Sequence, residues 1–506
     1  MNPLPIGYDH LIREHRLPAR PLTVRAEVNT RARGRASQMN DGEEILVFPP
    51  SYRPEDALTG HLQFALRYEG VNLEVLAMLF QQTGSHELTM WLHDRPRSIY
   101  ARRTGFLYEW LTGQALDVAV PSKVALVPAL DPKLQLARPV GKRNARYRVI
   151  DNLPGTREFC PLIRRTPYIA SMLAKDLHQR TQERLAKYDP QLLARAAAFL
   201  YLKETHTSFD IERAKPSPAR AQRFADLLRN ADEDIDLSED KLVDLQNAVV
   251  DPRFAEASFR TKQNWVGKDL GYRRRVAFVP PRPEDVRPLM EGLARMAAHA
   301  DDAKTRMDPV ALAAAVAFGF VFIHPFIDGN GRLHRYLIHQ VLAVSGFTPR
   351  GIILPVSAVI LANLDRYNEV LEHFSVPMLA RTQYNPDTPN VPALGNDALY
   401  FRFFDATEQA AFLFWALDRT VEEDLEKEVN YLLGYDLAFR RLNERFDWPG
   451  HSLDTFINVV AQNDWRLSNG KRKAYFAQLT DDEATEFEAV VREAYAEVAA
   501  DPQHAR

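Results

Sequence analysis

The run "HPFIDGNGRLHR", His324 to Arg335, gathers groups that together suit phosphate chemistry. His324 is a side chain whose unperturbed pKa, near 6.5, suits it to proton transfer at neutral pH. Asp328 offers a hard oxygen of the kind Mg²⁺ takes beside a nucleoside polyphosphate. Gly329 and Gly331 let the backbone adopt positive φ, so that successive N–H groups can curl around an anion. A helix that starts here presents free N–H groups and a positive dipole end to phosphate. Arg332 and Arg335, three residues apart, share one face of that helix and can grip phosphate oxygens in forked geometry. The stretch holds no evident covalent nucleophile. The economical chemistry is therefore His324 as general base, taking the proton of a hydroxyl that attacks a bound phosphate. Each feature alone is common in turns and on surfaces; their joint order is what carries meaning.

Positioning such a device requires rigid elements on both sides. "PVALAAAVAFGFVFI" supplies about 14 apolar residues before His324, fewer than the roughly 20 needed to cross a bilayer, and reads as a helix buried on every side. Pro325 disfavours helical geometry at His324, so that helix ends there and holds the imidazole on its rim. Upstream, two extended arms around Gly267 to Gly271, stopped by Pro280 and Pro281, read as a β-hairpin within a helical region. Helical spacing also marks "QERLAKYDPQLLARAAAFLYLKETH", "PARAQRFADLLRN", "LSEDKLVDLQNAVV" and "PEDVRPLMEGLARMAAHA". The predicted organisation is an irregular or extended arm over residues 1 to 50 within an otherwise helical region 1–125, a basic linker region 126–185, a core 186–385 and a helical domain 386–506. The fold class is mainly α.

The whole chain, 506 residues with a net charge of −3, is long enough for several domains and shows no global bias toward nucleic acid or membrane. One block is basic: residues 131–180 hold eleven Lys or Arg against four Asp or Glu. Few stacking aromatics interleave with that charge, which favours a solvated surface over a nucleic-acid face. The single cysteine, Cys160, excludes an internal disulfide framework and any cysteine-rich zinc site. The first residues lack the apolar core of a signal peptide, so a cytoplasmic location is expected.

"HPFIDGNGRLHR" resembles the signature of the Fic (Fido) family, HPFx[D/E]GNGRxxR, at every defining position. The resemblance implies a Fic-type helical core with a short β-hairpin flap over about 259–281, a signature loop at 324–335, and helical N- and C-terminal extensions. It further implies a nucleotidyltransferase that moves AMP from ATP to a Tyr, Thr or Ser hydroxyl of a target protein, with Mg²⁺ as cofactor. His324 would be the base and Asp328 the metal ligand. Gly329, Asn330 and Gly331 would hold the α- and β-phosphates, and Arg332 and Arg335 the outer ones. Flap residues Arg260, Thr261, Lys262, Gln263, Asn264 and Trp265 would dock the target, with Arg273 to Arg275 making that neighbourhood basic. In "KETHTSFDIERAKPS", Ser208 and Glu212 match the family's inhibitory pattern [S/T]xxxE[G/N], which implies an inhibitory helix at about 200–215 whose Glu212 pairs with Arg335. Arg213 departs from that pattern. Expected partners are an unidentified target protein and a second copy of the chain as target or as homodimer; no membrane partner is expected, and nucleic acid is disfavoured but stays open.

Rival readings are a metal-dependent phosphohydrolase using His93 and Asp94 of "LHD", and a non-enzymatic regulatory or nucleic-acid-binding protein. "SHELTM" fails as a zinc protease motif because Met90 stands at the second histidine's place. Within the family, transfer of UMP, phosphate or phosphocholine, or removal of AMP, stays open.

Overall fold

The computed structural model describes residues 3–40, 43–121, 123–188, 190–271, 274–388, 391, 393–446, 450–461 and 463–500. At its centre lies the helix Pro309–Ile323, buried at every position from Val310 to Phe320. Such a helix has no polar face to expose, so it can be stable only inside other elements. Asp308 starts it by accepting the N–H groups of Val310 (2.9 Å) and Ala311 (3.1 Å). The helices Pro283–Ala297, Asn330–Val344 and Thr407–Arg419 pack around it. Aromatic rings fill the gap toward the helix Leu364–Arg381: Phe322 stacks on Phe374 with centroids 4.0 Å apart and meets Phe404 edge-on at 5.5 Å. These rings fix the end of the central helix two residues before His324.

The mainly α architecture follows the sequence-based expectation, including the hairpin. Val266–Asp269 pairs antiparallel with Arg274–Phe278, with an irregularity between Val266 and Gly267. Arg273, part of the basic cluster expected there, lies outside the described residues.

Residues 1 to 50, expected as an irregular or extended arm, hold four extended segments that pair into a sheet. Leu4–Ile6, Val24–Val28, Ala36–Asn40 and Glu43–Phe48 form a four-stranded sheet in which the second and fourth of these strands run parallel. Their periodicity is weak for physical reasons: the first strand has three residues, and Ala36–Asn40 is exposed throughout. Ile6, Ala26, Val28 and Phe48 pack with Phe64 of the helix Leu58–Tyr68, and Ile45 and Val47 are buried as well.

Two larger cores complete the molecule, and their division falls elsewhere than at residue 386. Phe401, Phe404 and Phe412 belong with the central helix, whereas Leu433, Leu442, Phe456 and Val491 form a separate C-terminal core. The long helix Pro190–Ile211 contributes to both. Leu192 and Ala196 pack in the C-terminal core, Leu200, Tyr201 and Phe209 in the central one. Among the described residues no helix is long and apolar enough to cross a membrane.

Candidate active site

The central helix ends as its sequence demands. His324 caps it in the left-handed region (φ 53°, ψ 60°), its N–H still donating to Phe320 O at 2.9 Å, and Pro325 carries the chain away. His324 Nδ1 lies 3.1 Å from Val321 O, so this nitrogen carries the proton and Nε2 keeps a free lone pair. Burial, reinforced by the nearby Arg260 guanidinium, pushes the imidazole down to about 4, against a smaller opposing pull from Val321 O and Asp328. The ring is neutral at physiological pH and ready to accept a proton.

The loop after it is clasped from within. Asn330 donates from Nδ2 to Phe326 O (2.8 Å) and accepts from Phe326 N (3.1 Å), which occupies its amide in holding the loop. Its backbone N–H is one of the first-turn N–H groups that have no partner within the helix Asn330–Val344. Gly329 sits at φ 91°, where an added Cβ would come within 2.8 Å of Val250. Asp328 Oδ1 accepts from Gly329 N (2.7 Å) and from Arg332 Nη2 (2.8 Å), and its side chain is 41% exposed. One half-open carboxylate fits Mg²⁺, which retains water and takes phosphate oxygens for much of its octahedral shell.

Arg332 and Arg335 are both buried and converge on one carboxylate. Arg332 Nη1 donates to Val249 O at 2.7 Å, and its Nε lies 2.7 Å from Glu212 Oε2. Arg335 donates from Nε to Ser208 Oγ (2.7 Å), and from Nη2 to Ser208 O (2.7 Å) and Glu212 Oε1 (2.9 Å). The pairing expected between Glu212 and Arg335 alone is thus shared with Arg332. The carboxylate also covers Gly331 so closely that a Cβ there would lie 2.3 Å from Oε1.

Glu212 reaches this place from the end of the helix Pro190–Ile211. Ala214 N donates to Phe209 O (3.0 Å) and Arg213 N to Asp210 O (2.9 Å), the paired bonds of a Schellman cap, with Arg213 left-handed at φ 54°. This conformation accounts for glycine or asparagine at that place in the family pattern. One turn pair upstream, the buried Glu204 binds His339 Nε2 (2.7 Å) and Ser357 N (3.0 Å), pinning the same helix to the signature helix.

The hairpin's base touches the loop, which spacing alone did not reveal. Arg260 and Gln263 are 4% and 6% exposed. Arg260 donates to backbone carbonyls around His324, and Gln263 Nε2 to Pro280 O at 3.0 Å. Asn264 Nδ2 donates to Phe326 O at 3.1 Å. Thr261 and Lys262 are exposed, Trp265 is half-buried, and every residue of Val266–Asp269 faces solvent. Two further residues were not singled out from sequence. Glu256 Oε1 accepts Ile327 N at 2.7 Å, and Gln246 Nε2 donates to Asp328 O at 3.2 Å. A carboxylate on a loop and an amide on the helix Glu239–Val249 carry no signature spacing.

His93 and Asp94 close the helix His86–Asp94, away from any such convergence. The cluster with metal-ligand character among the described residues is instead His10, Asp56 and His61. There His61 Nδ1 accepts Gly7 N at 3.2 Å, which places the proton of the neutral ring on Nε2, the atom facing Asp56. That protonation opposes metal binding.

Residues 235–342 match the Fic/DOC family. The chain is 36% identical over 140 residues to protein adenylyltransferase fic-1 of Caenorhabditis briggsae, covering 27% of this chain and 25% of that relative. It is 33% identical over 124 residues to protein adenylyltransferase Fic of Drosophila melanogaster, covering 24% and 22%. The chain thus spans about a quarter of the length of the curated relatives it matches. Among solved structures it is similar to a Fic family protein from Desulfovibrio desulfuricans G20, with a TM-score of 0.36 and 19% identity over 61% of this chain and 93% of that one. The matched segment contains the hairpin, the buried helix and the loop from His324 to Arg335 in one run, and it is this segment of the chain that is similar to the Fic/DOC family.

Proposed function

We propose that this protein transfers AMP from ATP to a hydroxyl of a target protein, and that Glu212 restrains the reaction. The observation that carries the reading is the anion already seated in the site. A carboxylate of the chain itself lies at the head of the signature helix, within 2.7 Å of Arg332 Nε and 2.9 Å of Arg335 Nη2. Helix N-termini and buried arginines favour phosphate for the same reasons.

With Glu212 displaced, the two guanidinium groups and the free N–H groups of the helix's first turn bind the phosphates of ATP. His324 Nε2 takes the proton of the incoming hydroxyl, whose oxygen forms a bond to the α-phosphorus. The bond from the α-phosphorus to the bridging oxygen breaks, and pyrophosphate leaves with the electron pair. Arg332 and Arg335 hold the charge that gathers on it. Asp328 is the residue that would hold Mg²⁺, which supplies neutralisation of phosphate charge. The exposed strand Val266–Asp269 offers an edge on which an extended target segment can pair and bring its hydroxyl toward His324. The cytoplasm supplies both ATP and acceptor proteins.

Mass spectrometry after incubation with ATP and Mg²⁺ tests this reading in the wild type, Glu212→Gly and His324→Ala. An AMP adduct that increases in Glu212→Gly and vanishes in His324→Ala supports it. An adduct of another mass assigns UMP, phosphate or phosphocholine instead. An adduct that persists in His324→Ala refutes the mechanism.

A further inference from the structure

We infer that Arg260 is a positioning residue that fixes His324 from the base of the flap. Its guanidinium is buried, and the hydrogen bonds that hold it run to main-chain oxygens. Nε donates to His324 O at 2.8 Å, Nη1 to Lys262 O at 3.2 Å, and Nη2 to Pro281 O at 2.6 Å, with Ile323 O at 3.5 Å. Its own N–H donates to Pro325 O at 2.8 Å. Burial pushes Arg260 down to about 10, so the group stays cationic at neutral pH.

The location explains why a buried cation is tolerated there. Ile323 O and His324 O are among the last carbonyls of the central helix, which have no partner within it. They mark the negative end of the helix dipole, where a guanidinium is favoured. His324 meanwhile holds φ at 53°, a left-handed conformation that an ordinary L-residue disfavours. A fork that binds the carbonyls on both sides of that residue, together with the next carbonyl through its N–H, keeps the strained geometry in place. The imidazole direction follows from that backbone, since Nδ1 is tied to Val321 O one turn earlier. The same fork reaches both feet of the hairpin, Lys262 and Pro281, so flap and base share one anchor.

This assignment rests on the AMP-transfer reading, and its test separates the two. In a Glu212→Gly parent, Arg260→Lys keeps the charge but cannot span four carbonyls, and Arg260→Gln loses both charge and fork. A misplacement of about 1 Å at the base lowers kcat roughly 100-fold. The expected result is that loss in Arg260→Gln, a smaller loss in Arg260→Lys, and a KM for ATP within about twofold of the parent, because the phosphate grip of Arg332 and Arg335 is untouched. Asn264→Ala removes a second tether, to Phe326 O, and serves where the Arg260 variants fold poorly; a loss of about threefold to tenfold in kcat is expected for one hydrogen bond. A raised KM with unchanged kcat, or a kcat per folded molecule equal to the parent's, overturns the assignment. A parent that transfers nothing overturns the AMP-transfer reading instead.

Discussion

Arg213→Gly is expected to tighten the restraint exerted by Glu212. Arg213 is exposed, makes no side-chain hydrogen bond among the described residues, and sits at φ 54° in the cap that aims Glu212 at the two arginines. An L-residue there costs about 1–2 kcal/mol relative to the right-handed region. Glycine removes that cost but loses more backbone freedom on ordering, about 0.5–1 kcal/mol. The net gain for the capped state is therefore about 0.5–1 kcal/mol. If ATP binds productively only when the cap opens, that gain lowers the open fraction about twofold to fivefold. Initial rates of self-modification from labelled ATP read the change directly, and the melting temperature of Arg213→Gly should rise with it. Arg213→Ala is the control, because it removes the guanidinium but keeps the left-handed cost, and its rate should stay near that of the wild type. Equal slowing in Arg213→Ala and Arg213→Gly would refute the reasoning, since the side chain and not the backbone would then govern the cap.

Two further outcomes follow from the same region. Gly331→Ala places a Cβ 2.3 Å from Glu212 Oε1, so it should destabilise the wild type but much less the Glu212→Gly variant. A double-mutant cycle by urea unfolding should give a coupling of about 0.5–3 kcal/mol, and additive effects would refute the close approach. His334 is fully buried between Phe318 and Tyr367, and burial pushes it down to about 3. Below pH 6.5 the unfolded chain takes up a proton that the folded ring refuses, so folding stability falls as pH drops toward the folded value. His334→Phe removes this term, and the stability gap between variant and wild type should shift in the variant's favour by about 1.4 kcal/mol per pH unit between pH 6.5 and 4. A gap that does not change with pH would contradict it.

What was legible in the sequence is what local spacing dictates. The apolar run around Phe318, the proline after His324 and the glycines at 329 and 331 each act within a few residues. They sufficed to foresee a buried helix, its end and the turn that opens the next helix. The contacts of Arg260 and Glu256 were not legible, because each joins segments some 60 to 70 residues apart and neither residue type signals its partner. Asn330 was legible as part of the loop but not in its role, since the occupation of its amide by Phe326 depends on how tightly the loop closes. The N-terminal sheet was hidden for another reason. Its strands are short and half-covered, and the parallel pairing of Val24–Val28 with Glu43–Phe48 brings together segments with no hairpin turn between them.

The helix Pro190–Ile211 has a consequence for how the site around Arg332 and Arg335 can be switched. Ser208 lies 16 residues beyond Leu192, about 24 Å along a continuous helix. The near end of this rod is set in the C-terminal core among Leu433 and Leu442, and the far end delivers Glu212 to Arg332 and Arg335. The tightness of the restraint is therefore a property of two cores, not of one ion pair. Local opening of the C-terminal core would strip the rod of half its bearing and leave Glu204 and its partners to hold the remainder. A surface remote from Arg332 and Arg335 thereby gains mechanical purchase on the carboxylate that they hold.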